Sequence, residues 1–597
     1  MNRFPLTAAI FFVVSAIALP GCDRAHVDLV AATAPNAATR NLHAIFAREW
    51  QHDLNESPVW ASSLGERGYD ARWDDVSLVA QARRDAHDRD VLDEVARIGR
   101  AELSQTDALS YDLFRLKYQT AVEGHPFRLW LFPLNQRGGI QTADEIADAL
   151  PFTTVQNHVD WNARLASFPT YMAATIEVLT EAIRQRMVHP RVPMQRVVAQ
   201  IDGQIVDDPL KSPFFAPYKK NVATLSNVER ERLVNEAKTL ITTRVVPSFV
   251  KLRSFFVNAY LPACRETVGA WDLPNGPALY AFAARVHTTT RVTPDEIHAI
   301  GQREVSRIRG EMEIVKSRAG FSGSLREFFS FLRSDARFFY KDGSDLLRAY
   351  RELAKRVDPE LVKVFRRLPR TPYGVTPIPE IAAPDTTTAY YRESASDGSR
   401  AGTFFVNLYK PEVRPRWEMV SLTLHEAVPG HHLQTALAME DETIPKFRRH
   451  GEYSAYVEGW ALYAETLGEE MGLYDDPYSK FGQLTYEMWR AVRLVVDTGI
   501  HHLHWDRQRA IDFFMENAPK SEHDIVNEVD RYIVWPGQAL AYKMGELRIK
   551  DLRKRKAAEL GTSFDLKAFH EDVLRSGPLP LDILEHEVMK GARRPSR

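Results

Sequence analysis

Apolar residues recur along most of this chain at steps of three and four, the spacing that lines up one face of a helix. From Asn41 onward the pattern runs through segments such as Leu42 to Trp50 and Met172 to Met187. Thr293-Pro294-Asp295-Glu296 reads as a complete helix start, with Thr as cap, Pro in the first helical position and Glu three residues after the cap. The helix it opens is predicted to run to about Arg318. Strand signals concentrate between Tyr373 and Leu408. Tyr373 to Pro379 alternates apolar and small residues around Pro377, which suits an edge strand. Thr403-Phe404-Phe405-Val406-Asn407-Leu408 follows the turn formers Ser396-Asp397-Gly398-Ser399 and forms the second candidate. The pattern predicts a mainly α fold with a small β-sheet and no internal repeat.

The first residues break this pattern. Arg3 precedes an apolar stretch from Phe4 to Leu19, interrupted only by Pro5, Thr7 and Ser15, and Leu19-Pro20-Gly21-Cys22 comes next. The stretch is short for a membrane span of about 20 residues and has the layout of a signal peptide. Leu-x-Gly-Cys resembles a bacterial lipobox, which implies that Cys22 is acylated and anchors the chain to a lipid membrane; ordinary secretory cleavage is the alternative. The expected organisation is a lipoprotein signal peptide over residues 1–22 and a linker rich in Ala, Thr and Pro over 23–40. A single large helical domain then spans 41–597, with its candidate site at about 370–550. The expected location is the bacterial cell envelope, facing the periplasm.

Composition narrows the chemistry. The 77 Lys and Arg nearly balance 79 Asp and Glu, so nothing points to a nucleic-acid partner. With Cys22 lipidated, Cys264 has no intramolecular partner, which excludes a disulfide framework and a cysteine metal site. Any metal must be held by histidines and carboxylates.

Such residues cluster in Leu424-His425-Glu426-Ala427-Val428-Pro429-Gly430-His431-His432-Leu433-Gln434. A His-Glu pair with further histidine about two turns on is how many zinc hydrolases hold a metal and a general base. The spacing is not His-Glu-x-x-His, because Pro429 occupies the fourth position after His425. On an undistorted helix His431 would point roughly 120° away from His425, and His432 would share its face about 10 Å along the axis. Pro429 cannot donate a backbone hydrogen bond to the His425 carbonyl, so the helix is expected to open or bulge there and swing His431 back toward the metal. His431 is therefore the preferred second ligand and His432 the reserve.

The third ligand is expected from Tyr456-Val457-Glu458-Gly459-Trp460-Ala461-Leu462-Tyr463-Ala464-Glu465, an apolar helix whose two glutamates share a face. A carboxylate there is costly to bury unpaired, and a divalent cation removes that cost. Glu458 is the expected ligand and Glu465 its support; pairing with an arginine or exposure to water is the structural alternative. Glu426 then serves as general base. Two imidazoles and one carboxylate favour Zn²⁺, one per chain.

Two later segments complete the candidate cleft. Arg493, Asp497 and His501 stand four apart in an otherwise apolar helix, forming a polar stripe that is either a structural network or a functional one. In the functional version Arg493 or His501 meets a substrate carbonyl or terminal carboxylate, with Asp497 in support. Tyr542 follows Trp535-Pro536-Gly537 and is either an oxyanion donor or a packing residue. Thr403, Phe404, Phe405 and Val406 are either a strand that pairs with an extended peptide substrate or a buried strand.

Together with Phe132-Pro133-Leu134-Asn135-Gln136 and Thr293-Pro294-Asp295-Glu296-Ile297-His298, the His425, Glu458 and Pro536-to-Tyr542 segments make the chain resemble the bacterial family catalogued as domain of unknown function 885, over about residues 40 to 590. The resemblance implies a largely helical, metallopeptidase-like fold related to the zinc-dependent gluzincins. It implies His425, His431 and Glu458 as ligands and Glu426 as base, and it supplies no substrate.

Two classes of function fit these residues. One is a zinc-dependent hydrolase, a peptidase cleaving short peptides in the envelope or an amide or ester hydrolase of other substrates. The other is a peptide-binding or scaffold lipoprotein on a peptidase-like fold, a reading that the intact Glu426 disfavours.

Overall fold

The structure is a computed structural model that describes residues 36–219, 225–380, 383–385 and 387–590. Cys22, the expected signal peptide and residues 23–35 of the expected linker lie outside the described residues. The linker's last four residues belong to a helix, Ala37–Glu56, because the Asn36 side chain caps it by accepting the Thr39 amide at 2.8 Å. Helix thus begins slightly before Asn41.

The fold is mainly helical, with one small sheet. Its centre is the helix Pro477–His501, in which every residue from Phe481 to His501 is buried. A helix buried on every side must be surrounded by other elements. The helices Pro294–Arg318, Met419–Glu426, Arg507–Asn517, Glu522–Val534 and Ala541–Leu560 all pack on it. The Pro294–Arg318 helix begins with the expected Thr293–Glu296 capping box. Its Gly301 lies against Leu494 and Val495 of the central helix, and His298 Nδ1 meets the Thr498 hydroxyl at 2.8 Å. The Thr293-to-His298 motif is therefore a docking feature of the core.

The second close contact sets the position of Glu458. Its helix, Ser454–Thr466, crosses Ala541–Leu560 where Gly459 faces Gly545. A Cβ on Gly545 would stand 1.8 Å from the Ala455 carbonyl oxygen, so the two backbones can touch only without side chains there. The Ala541–Leu560 helix is tied to the central helix by charge as well. Fully buried Lys543 donates to Glu487 at 2.8 Å and pairs with Glu546 at 2.6 Å and Glu304 at 3.0 Å.

The sheet has strands β1 (Tyr373–Pro377), β2 (Ala389–Arg392) and β3 (Gly402–Val406) in the order β1-β3-β2. β1 pairs with β3 in parallel and β2 with β3 antiparallel. β1 is the edge strand its proline predicted. β3 is central, with Phe404 and Val406 buried toward the helices, and no unpaired edge remains on Thr403, Phe404, Phe405 or Val406. The expectation that these residues pair with substrate is corrected: β1 and β2 already saturate their backbone.

Burial also holds several histidines neutral. It pulls His189 down to about 3, and His287, His450, His501 and His570 down to about 4. Because the unfolded chain binds these protons near pH 6.5 and the fold does not, their contribution is intact above about pH 6.5 and is lost as pH falls toward 4. The urea midpoint of unfolding is expected to drop between pH 7 and pH 5; a constant or rising midpoint would contradict this burial.

Candidate functional site

The chain breaks its helix at the expected place. Met419–Glu426 ends at Glu426, Ala427-Val428-Pro429-Gly430 forms a link, and a new helix, His431–Met439, begins. The interruption is larger than a bulge. Gly430 is required by space: a Cβ there would lie 1.9 Å from the His425 carbonyl oxygen. Trp460 in the Glu458 helix holds the link by donating to the Pro429 carbonyl at 2.8 Å.

The break turns His431 toward His425, with ring centroids 4.8 Å apart and planes at 86°. One ligand atom each from His425, His431 and Glu458 lie within 4.8 Å of one another, the one such group among the described residues. Glu458 Oε2 stands 3.6 Å from His425 Nε2 and 3.5 Å from His431 Nε2. These gaps are too long for good hydrogen bonds. They are close to the separation of about 3.3 Å expected between donors sharing a tetrahedral ion at 2.0–2.1 Å. Glu458 Oε2 is buried with no hydrogen-bond partner, so the cluster fits a small divalent cation.

His425 is held from its other side. Its Nδ1 meets Glu465 Oε1 at 2.8 Å, and the Ser421 hydroxyl donates to Glu465 Oε2 at 2.5 Å. With Nδ1 protonated toward Glu465, Nε2 presents its lone pair to the cluster. Burial would lower the His425 imidazole, but Glu458 and Glu465 outweigh it and raise it to about 9. Burial likewise acts to raise the Glu458 carboxyl, and the two imidazoles hold it well below the usual carboxylate range.

The reserve ligand is excluded by its contacts. His432 Nδ1 accepts from the Tyr391 hydroxyl and Nε2 donates to the Thr371 carbonyl, both at 3.0 Å, so its ring faces the sheet.

The cluster opens on a cavity of about 260 Å³ that Glu426, Arg493 and Tyr542 also line. β2 borders it through Ala389, Tyr390 and Tyr391. Among the described residues the Glu426 side chain makes no hydrogen bond, although it lines this cavity. The Tyr542 hydroxyl accepts from Arg531 Nη2 at 2.9 Å, which leaves its own proton available for donation. A larger cavity, about 600 Å³, is lined by parts of the first helices together with Arg285 to Arg291, Phe447 to Tyr453 and Pro580 to Ile583, and by none of these groups.

The polar stripe is not one network. Arg493 faces the cavity, donating to Glu528 Oε2 and to the Tyr532 hydroxyl at 2.9 Å each. Asp497 accepts from the Tyr280 hydroxyl at 2.6 Å and from the Gly537 amide at 3.1 Å, fixing the turn that leads into the Tyr542 helix. His501 accepts the Ala270 amide on Nδ1 at 3.0 Å and donates from Nε2 to the Tyr532 carbonyl at 2.9 Å. Asp497 and His501 are therefore structural, and their expected roles at the metal and substrate are corrected.

Sequence reasoning missed several contributors to the cavity, among them β2, Arg137, Arg490, Glu528 and Arg531. Arg137 directly follows the Phe132-to-Gln136 motif, and that adjacency was the available signal. The buried Gln136 amide donates to the Asp530 carbonyl at 3.0 Å, pinning this segment beside the Glu522–Val534 helix.

A helical chain with this buried histidine and carboxylate cluster at a broken helix belongs to a defined group. It matches the family described as bacterial protein of unknown function (DUF885) over residues 58–588, and it is a member of that family. Two of the solved structures similar to it illustrate the relationship. One, described as a "putative lipoprotein" from Colwellia psychrerythraea, is 28% identical with a TM-score of 0.88, the match covering 93% of this chain and 99% of that one. Another, described as a "putative lipoprotein of unknown function" from Shewanella oneidensis, is 17% identical with a TM-score of 0.67, covering 93% and 100%, and shows the shared fold. No curated protein matches the chain.

Asp497→Ala would leave the Tyr280 hydroxyl and the Gly537 amide buried without an acceptor. A loss of about 2 kcal/mol or more in urea unfolding is expected. An unchanged midpoint would show that Asp497 does not hold this turn.

Proposed function

We propose that this protein is a zinc-dependent hydrolase of the gluzincin-like kind, a peptidase acting on short peptides in the cell envelope. One observation carries the reading: the buried Glu458 oxygen without a partner, facing two imidazole nitrogens at 3.5 and 3.6 Å in a cavity that also holds Glu426. A purely structural cluster would close those gaps by hydrogen bonding.

His425, His431 and Glu458 would hold the cation, which supplies Lewis acidity to a substrate carbonyl and acidifies water. Glu426 accepts the proton of the attacking water and passes it to the leaving nitrogen as the carbon–nitrogen bond breaks. The Tyr542 hydroxyl donates to the carbonyl oxygen as negative charge develops there. Glu465 holds the His425 tautomer throughout. β2, which borders the cavity, replaces β3 as the strand along which an extended peptide would lie.

The lipobox-like Cys22 and the two similar proteins described as lipoproteins support an acylated, envelope-anchored chain, and the proposed site would then face the periplasm. Among the described residues no helix is long and apolar enough to cross a membrane.

Glu426→Gln should retain one equivalent of zinc by elemental analysis while peptide turnover falls about 10²- to 10⁴-fold. Turnover within a few-fold of wild type would remove Glu426 as the base. The two adjacent histidines should separate cleanly: His431→Ala is expected to lose the metal and His432→Ala to retain it. Equal zinc content in both variants would remove His431 as a ligand.

A further inference from the structure

The cavity has a second charged wall. Arg137, Arg493 and Arg531 line it, and among the described residues the one carboxylate that pairs with any of these guanidiniums is Glu528. Arg493 Nη2 lies 2.9 Å and Arg531 Nη1 3.5 Å from the same oxygen, Glu528 Oε2. Arg531 uses Nη2 on the Tyr542 hydroxyl and on Gln538 at 2.8 Å. Even so, Arg493 Nη1 and Arg531 Nε are buried without acceptors. The Arg137 guanidinium has neither a hydrogen bond nor an ion pair among the described residues.

Arg490 is a separate case. It sits at the cluster end, 3.5 Å from Glu465, and counters that buried carboxylate.

Three guanidiniums around one carboxylate leave an excess of positive charge in a confined space. Arginine keeps that charge at any physiological pH, so the excess cannot be relieved by deprotonation. Burial lowers the Arg137 guanidinium, and Glu528 offsets that only in part. The fold has no use for such a surplus, since each unmatched donor costs stability. Arg493 also stacks over the Tyr542 ring, 4.2 Å from its centroid, so this wall adjoins the residue assigned to the developing oxyanion.

We propose that Arg137, Arg493 and Arg531 form a pocket for a carboxylate of the substrate. Planar guanidiniums suit bidentate carboxylate binding, and a substrate anchored there places a nearby carbonyl at the cluster. The carboxylate is either the free C-terminus of a short peptide or an Asp or Glu side chain. The pocket rests on the hydrolase reading for the cleavage of a bound peptide, but binding itself does not depend on turnover.

The test is calorimetric binding to zinc-loaded Glu426→Gln protein, using acetyl-trialanine with a free C-terminus, its C-terminal amide, and the amide of acetyl-Ala-Glu-Ala. If the C-terminus is the anchor, the free acid should bind at least tenfold tighter than both amides. If a side chain is the anchor, the glutamyl amide should bind tenfold tighter than the alanyl amide. In either case the preference should collapse in the Arg137→Gln background, a variant that removes no hydrogen bond from the fold. Arg531→Lys, which keeps the charge but not the bidentate fork, should weaken it several-fold. Equal binding of all three peptides, or a preference untouched by Arg137→Gln and Arg531→Lys, would overturn the pocket. Cleavage by the wild type without any carboxylate preference would spare the hydrolase reading and reject this one. A clear preference without any cleavage would do the reverse.

Discussion

The site depends on one imidazole held at both ends by carboxylates from a single helix. Glu458 and Glu465 are seven residues apart on Ser454–Thr466, about two turns, and so project from the same face. His425 lies between them, 2.8 Å from Glu465 at Nδ1 and 3.6 Å from Glu458 at Nε2. The two carboxylates are not equivalent. Glu465 is fully satisfied by His425 and Ser421, whereas Glu458 Oε2 has no partner. One end therefore orients the ring and the other leaves a donor set incomplete. That asymmetry is what supports the proposed cation site, since in an ordinary buried ion pair both carboxylates would be hydrogen-bonded.

Holding the arrangement requires two close backbone approaches. Gly430 lets the chain reverse against the His425 carbonyl, which brings His431 round; Gly459 and Gly545 let the Glu458 helix sit against the Tyr542 helix. The same helix pair thus fixes the distance from Glu458 to the cluster and the place of Tyr542 on the cavity wall. Lys543, next to Tyr542, anchors its helix to the fully buried central helix through Glu487. A shift of the Tyr542 helix would disturb ligand, tyrosine and arginine wall together.

Local features of this architecture were legible in the sequence. Pro429 excluded a one-turn histidine pair, and the reversal that it forced selected His431 over His432. Apolar surroundings made Glu458 and Glu465 conspicuous, and the capping box at Thr293 gave a helix with the right ends. What escaped was non-local. Thr403 to Val406 had the pattern of a strand, but no pattern says whether neighbours occupy one edge or both, and β2, only four residues long, carried too little alternation to be seen. The spacing of Arg493, Asp497 and His501 correctly placed them on one face. That face passes three different neighbours, so their partners diverge: Glu528, then Tyr280 and Gly537, then the backbone of Ala270 and Tyr532. Arg137 comes from a turn more than 350 residues before Arg493 in the chain, and only folding brings the two together.

The charges around the cavity argue for function over stability. At one end Glu426 and Glu458 gather negative charge around the imidazoles; at the other, three arginines outnumber Glu528. If the purpose were stability, exchanging Glu458 for an apolar residue at one end and Arg137 at the other would remove two desolvation penalties at once. The arrangement instead keeps both unpaired groups in one small space, too far apart to neutralise each other by direct contact. A cation at the first end and an anionic group at the second would satisfy both. On the proposed reading the two deficits are complementary parts of a single recognition site, and a peptide carboxylate on the arginines would set the distance from anchor to scissile bond.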